Sequence, residues 1–309
     1  MTGIRFLQTF LSQPGGKIFR VRYSWCMENT TGCSLGLSGT RRVVVGHSGG
    51  VTSAWALGWA LNFFPREEVT ALFHDTKKED GDTYRFLYEI AGVLGIPVTE
   101  RSDGRSVEEV EIDEGALANN RMAFCSRILK AEPRDRYFAE LRATGVTEII
   151  NVVGFSAWEP LRIQRATMRA QTGGYSVRFP VAETWPALVP PKEQRGKRLR
   201  AWIDSERSKS KQFCADWCMG LGVRPPRMYK WSDHANCINC RRGGKAYAIE
   251  SARQNPNDFI QLCAHEKNPV FQGHTIFKEG PLEQIVAAGL KRKVSRRESI
   301  DIGACECGG

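Results

Sequence analysis

Six residues, Ser48-Gly49-Gly50-Val51-Thr52-Ser53, combine two glycines with three hydroxyl side chains. The glycines release the backbone to wrap an anion with its N–H groups, and Ser48, Thr52 and Ser53 add hydroxyl donors. At the start of a helix such a turn takes a phosphate, because the helix dipole favours negative charge there. An ordinary serine-capped βα turn has the same composition, so the motif alone leaves both readings open. Cysteines supply the second constellation. Cys237 and Cys240 form a C-x-x-C loop near His234, followed by Arg241-Arg242-Gly243-Gly244. Two thiolates at that spacing reach one metal or cluster, and the adjacent arginines are expected to favour the deprotonated form; a redox disulfide fits the same spacing. Cys305 and Cys307 lie in a glycine-rich tail, Gly303-Ala304-Cys305-Glu306-Cys307-Gly308-Gly309. A cysteine on such a tail can swing into a site, attack sulfur and swing out for reduction, or the pair can complete a metal site or form a disulfide. Cys214 and Cys218, four apart on an expected helix, read as small apolar residues on a packed face. Cys26 and Cys33 read as incidental.

The elements that must position these residues alternate. Val43 to Val45 is a β-branched run of the kind that makes a buried strand, and Ser53 to Leu61 resumes with helical apolar spacing. Further strands are expected at Val69 to Phe73, Ile96 to Glu100, Glu148 to Val153 and Val177 to Val181, with a helix from Gly81 to about Leu94. Asp75 and Thr76 then fall at the C-terminal end of a strand, where open α/β sheets place their ligand crevices. This alternation implies a doubly wound parallel sheet. Residues 102–120 read as an acidic, irregular surface excursion, and 192–211 as a basic, partly helical connector that could grip a phosphate backbone or simply be a surface helix. From 212 onward the chain reads as helices and cysteine loops. The expected organisation is a poorly ordered extension over 1–39, a nucleotide-binding α/β domain over 40–190 and a helical, cysteine-containing region over 191–309.

At 309 residues the chain has ample material for a core. Hydrophobic residues make up 41% of it, with no apolar run long enough for a membrane span and no convincing secretory leader, so a cytoplasmic protein is expected. The net charge of +10 favours anionic partners, nucleotides or nucleic acid. Ten cysteines grouped in pairs suggest metal or redox chemistry rather than structural disulfides.

Several segments resemble, in order, those of the phosphoadenylyl-sulfate reductase family within the adenine nucleotide α-hydrolase superfamily, with a divergent phage-type branch as the best match. Ser48-Gly49-Gly50-Val51-Thr52-Ser53 looks like the superfamily's pyrophosphate loop, although many ATP-cleaving members carry Asp where this chain has Thr52. Asp75-Thr76 followed by Asp82-Thr83-Tyr84-Arg85-Phe86 is similar to a family segment with glycine at the position of Lys77. Cys125 with Lys130 and Pro133 resembles a cysteine segment that in iron–sulfur members has two adjacent cysteines; here only one is present. Gly154-Phe155…Glu159…Arg162 and the C-x-x-C complete the series, and Glu306-Cys307-Gly308 resembles the tail that carries the family's nucleophile.

The resemblance implies nucleotide contacts from Ser48, Gly49, Gly50, Thr52, Ser53, Asp75, Thr76, Gly154, Glu159 and Arg162. Arg127 and Lys130, three apart, are expected to face a phosphate or sulfate from one helix side. Cys307 is the implied nucleophile. Cys125, Cys237, Cys240 and, as the best fourth candidate, Cys263 are the implied ligands of a [4Fe–4S] cluster, with zinc as the rival occupant. The implied activity is reduction of phosphoadenylyl sulfate or adenylyl sulfate with a thioredoxin-like reductant. ATP-dependent thiolation of tRNA or DNA, with Mg, is the alternative, and a non-catalytic nucleotide- or metal-binding module is a third.

Overall fold

The structure, a computed structural model, describes residues 40–186 and 195–291. Strand β1 (Thr40–Gly46) leads into helix α1 (Val51–Phe63), then β2 (Val69–His74), α2 (Gly81–Leu94), β3 (Val98–Arg101) and α3 (Val107–Asp113). A short turn α4 (Phe124–Ser126) continues through one π-helical turn, Arg127–Ala131, into α5 (Glu132–Ala143). Next come β4 (Val146–Val152), α6 (Pro160–Gly173), β5 (Ser176–Arg178) and α7 (Pro180–Thr184). Four more helices follow: α8 (Gly196–Gly220), α9 (Gly244–Gln254), α10 (Pro256–Glu266) and α11 (Leu282–Leu290). The five strands form one sheet in the order β3-β2-β1-β4-β5, every pairing parallel. The chain steps outward from β1 to β2 and β3, then returns to β4 on the other side of β1. In open α/β sheets such a reversal marks the place where ligands bind, here beyond the C-terminal ends of β1 and β4.

Strand alternation divides the core. Val43 and Val45 point to the face covered by α1 and α8, and Val44 points to the opposite face, with Leu72, Phe138 and Ile149. Helices cover both faces, as the doubly wound expectation requires. Helix α1 is apolar nearly all round because it is sandwiched: Val51, Ala54, Ala56, Leu57 and Ala60 are buried between the sheet and α8. Cys214 and Cys218 belong to this same cluster, fully buried, and act as the small packing residues their spacing suggested. The helical region beyond 191 therefore shares the sheet's main hydrophobic cluster. A second cluster joins Leu262, Phe271, Leu282 and Val286 to Leu117.

Two sequence expectations need correction. Residues 102–120 are not an irregular excursion: Ser106 closes a capping box with Glu109, and α3 buries Val107, Val110 and Glu111. The mostly acidic composition hid the apolar i, i+3 pair. The strand expected over 177–181 is only Ser176–Arg178, because Pro180 starts a short helix with its fixed backbone angle. Residues 1–39 lie outside the described residues.

Helix α1 approaches α8 most closely at Gly58, where an added Cβ would run into the Trp217 indole. Gly58→Ala is expected to cost about 1–3 kcal/mol through overpacking, lowering the urea midpoint, and Trp217→Leu should restore part of the loss. An unchanged midpoint would show that the two helices do not press together there.

Candidate functional site

The turn after β1 is tied by its own serine. Ser53 Oγ donates to the Gly50 carbonyl at 2.8 Å and accepts from Ser48 N at 3.1 Å. Gly49 takes φ of 73°, a left-handed conformation that favours glycine, and a Cβ there would meet Thr83 Cγ2 at 2.5 Å. The Val51 N–H is engaged, donating to Tyr229 Oη at 3.2 Å. Among the described residues, no acceptor bonds the N–H groups of Gly49, Gly50, Thr52 or Ser53. Four free donors at the start of a buried helix make a cradle for an anion.

Gly154, expected to admit a ligand, has a different duty. A Cβ there would stand 2.6 Å from the Thr52 carbonyl oxygen, so its missing side chain admits the neighbouring loop. Behind the turn, His47 is fully buried and Nε2 donates to the Leu87 carbonyl at 3.1 Å, with no partner for Nδ1 among the described residues. Burial lowers its pKa to about 4, so the ring is neutral at pH 7.

On the β4 side Glu159 receives the Ser156 N–H at 3.0 Å and the Arg162 guanidinium, which also lies over the Phe155 ring at 4.0 Å. Burial alone would raise the Glu159 carboxyl; the charge of Arg162 and the Ser156 N–H outweigh it and hold the pKa below the usual range. Half of the Arg162 side chain stays exposed, so it can still meet an anion.

The cysteine loop is seated against the end of β2. Thr76 Oγ1 lies 3.2 Å from Cys237 Sγ and 3.2 Å from Glu79 Oε1, and Lys130 Nζ donates to that carboxylate oxygen at 3.2 Å. Cys237 Sγ donates to Glu79 Oε1 at 3.5 Å. Two main-chain anchors hold the loop: Ile238 N donates to the Lys78 carbonyl at 2.6 Å, and Tyr247 Oη to the Cys237 carbonyl at 2.6 Å. Lys77, where the resembled segment has glycine, takes φ of 58°, the conformation glycine would adopt most readily. Asp75 is occupied as a turn residue, accepting from Lys77 N at 2.8 Å and from Tyr84 Oη at 2.5 Å.

The arginine after the motif opposes the rise at Cys125, but its hydrogen bonds go elsewhere. Arg241 is buried against Glu111, with Nε to Oε1 at 3.0 Å and Nη2 to Oε2 at 2.9 Å, and it also reaches Glu108. His265 Nε2 joins Glu111 at 2.9 Å. Burial, with Glu79 beside it, pushes the Cys237 thiol up to about 12, Lys130 opposing only in part. Burial likewise raises Cys125, with Cys240 the next contributor. Burial by itself would lower the Lys130 pKa, and Glu79 more than reverses this.

Arg127 turns to Glu132 at 2.5 Å while Lys130 turns to Glu79, so the π-helical turn sends the expected pair to different partners instead of one shared anion. Cys263 packs in the separate cluster with Leu262 and Phe271, among Glu283, Glu266 and Lys267, and does not join Cys125, Cys237 and Cys240. Among the described residues no three His, Cys, Asp or Glu side chains are arranged to hold a metal ion. Cys305 and Cys307 lie outside the described residues. Glu79, Glu111 and Tyr229 carry no signal in the sequence; each acts through a partner at least 51 residues away in the chain, and no local pattern marks them.

No protein-family model matches the chain, and no curated protein matches it.

The neutral His47 makes folding pH-dependent. Its unfolded pKa of 6.5 exceeds the folded value of about 4, so the unfolded chain binds the extra proton between them. Stability from this group is full above pH 6.5 and is lost as pH falls towards 4, up to about 3 kcal/mol. Urea midpoints from pH 7 to 4.5 should drop less steeply in His47→Gln; parallel slopes would contradict the assignment. Cys237 offers a second check. Its iodoacetamide labelling, followed by peptide mass spectrometry, should stay slow at pH 8, and Glu79→Gln should move the profile to lower pH. Labelling of wild type as fast as a free peptide thiol would overturn it.

Proposed function

We propose that this chain is an enzyme that binds an adenine nucleotide by its phosphates at Ser48–Ser53 and carries out thiol-dependent sulfur chemistry, of the sulfonucleotide-reductase type. The observation that carries the reading is the set of free N–H donors at the β1–α1 turn, lying at the point where the strand order reverses. Supporting it, the half-exposed Arg162 comes from the exit of β4, the other strand at that reversal, and the cysteine loop is seated at the end of β2, next to β1.

In the proposed reaction the Cys307 thiolate attacks the sulfonyl sulfur of phosphoadenylyl or adenylyl sulfate, an S–S bond forms, and the sulfur–oxygen bond to the nucleotide phosphate breaks. The nucleotide leaves with its electron pair on the phosphate oxygen. A thioredoxin-like dithiol then reduces the S-sulfocysteine, releasing sulfite, returning the thiol and becoming a disulfide. The loop donors and Arg162 contribute by holding the phosphate charge that grows as the nucleotide departs. A [4Fe–4S] cluster or zinc has no step here.

The second reading, ATP-dependent thiolation of tRNA or DNA with Mg, is favoured by the net charge of +10. No helix among the described residues is long and apolar enough to cross a membrane.

Gly49→Ala should weaken nucleotide binding at least tenfold in calorimetry, since the turn cannot keep its φ and Thr83 blocks the new methyl. Anaerobic protein given phosphoadenylyl sulfate, adenylyl sulfate or ATP with thioredoxin and reductant should release sulfite from a sulfonucleotide, and Cys307→Ser should not. Pyrophosphate from ATP on addition of tRNA or DNA, without sulfite, would favour the second reading. Nucleotide binding intact with neither product would sink both.

A further inference from the structure

We infer that α6 and the first two turns of α8 form a binding surface for single-stranded nucleic acid. Helix α6 carries no acidic residue and buries only Ala170. Its Arg165 and Arg169 are four apart, exposed, and form no ion pair among the described residues. The start of α8 repeats the pattern: Lys197, Arg198 and Arg200 are exposed, none is ion-paired among the described residues, and the first carboxylate on that helix is Asp204. Several arginines elsewhere, Arg85, Arg101, Arg105, Arg178 and Arg241 among them, are instead engaged by carboxylates. Like charges this close in sequence within each segment repel one another, and a partner that neutralises them relieves that cost.

The two segments meet through aromatic rings. Trp158, just before α6, packs edge-on against Trp202 of α8 with centroids 5.4 Å apart. Both residues are partly exposed. Cations that track phosphates beside indole rings that accept unstacked bases are the combination used to hold a single strand; an acidic protein would need the cations but not the rings. Glu159, the carboxylate next to Trp158, is taken up by Arg162 and does not oppose a polyanion. Arg165 and Arg169 are not among the residues assigned to the phosphate site, and the inference holds whichever nucleotide the β1–α1 turn takes.

The test uses the full chain and a fluorescein-labelled 20-nucleotide single strand, RNA and DNA in parallel, with anisotropy read from 50 to 300 mM salt. Wild type should bind, with affinity falling steeply as salt rises. The double charge reversal R165E/R198E should weaken binding at least tenfold. It should also make the slope of log K against log salt shallower by about 1.4, at roughly 0.7 for each phosphate no longer neutralised. R165K/R198K should retain the slope. Trp158→Ala should weaken binding with the slope unchanged. All these side chains are on the surface, and circular dichroism checks each fold. Wild-type affinity in R165E/R198E, or polyglutamate binding as tightly as the oligonucleotide, would overturn the inference. Equal affinity for duplex, with Trp158→Ala silent, would overturn the single-strand assignment. Failure of nucleotide binding at the turn would leave these outcomes unchanged.

Discussion

The enclosure of α1 is the constraint on which the rest depends. A helix buried on the sheet side by Val43 and Val45 and on the outer side by Cys214, Ala215 and Cys218 cannot shift without breaking both sets of packing. Its first turn is therefore held in place, and so are the N–H groups that project from it. Tyr229, brought in from beyond α8, takes the Val51 N–H and pins the first turn of the helix. Gly154 lets the exit of β4 close against the Thr52 carbonyl. A rigid donor set suits an anion because the protein has little reorganisation to undergo when the charge arrives.

The polar machinery is organised the same way, by buried partners rather than by local motifs. Glu79 collects Thr76, Lys130 and Cys237; Glu111 collects Arg241, His265 and the Ala118 N–H. Each carboxylate sits where three separate segments converge, and its charge is offset by a cation. Such pairs contribute little net stability against an apolar alternative, yet removing one partner leaves a buried charge alone at a cost of several kcal/mol. Their role here is to fix the position of the cysteine loop relative to β2 and α3.

The parallel α/β architecture was legible because it rests on short-range signals: the valine run at β1, the apolar alternation of the strands and the glycine–serine turn. The loop residues Ser48 to Ser53 stood out for the same reason. Local chemistry misled where a tertiary partner changed a residue's duty. Arg241 reads in sequence as an aid to the thiols, and its charge does act on Cys125, but its guanidinium is bonded to Glu111, 130 residues earlier. Cys263 reads as a ligand by type and lies in an apolar cluster. Arg127 and Lys130 read as one helical face until a π-helical turn separates them. Pro180 was visible in the sequence, but the apolar run around it carried more weight than the backbone constraint it imposes.

The pairing of early and late segments has a bearing on how the chain acquires its shape. Tyr229 reaches Val51 across 178 residues, Cys237 meets Thr76 across 161, and Arg241 meets Glu111 across 130. During synthesis the strands and α1 emerge well before the segment that covers them, and at about 5–20 residues per second that delay is on the order of ten seconds. Throughout it, the outer side of α1, including Trp55 and Trp59, faces water or whatever else is near. Long-range closure of this kind slows folding. The nascent chain is thus exposed to premature association at the helix that later carries the anion cradle, and chaperone demand should be concentrated in that interval.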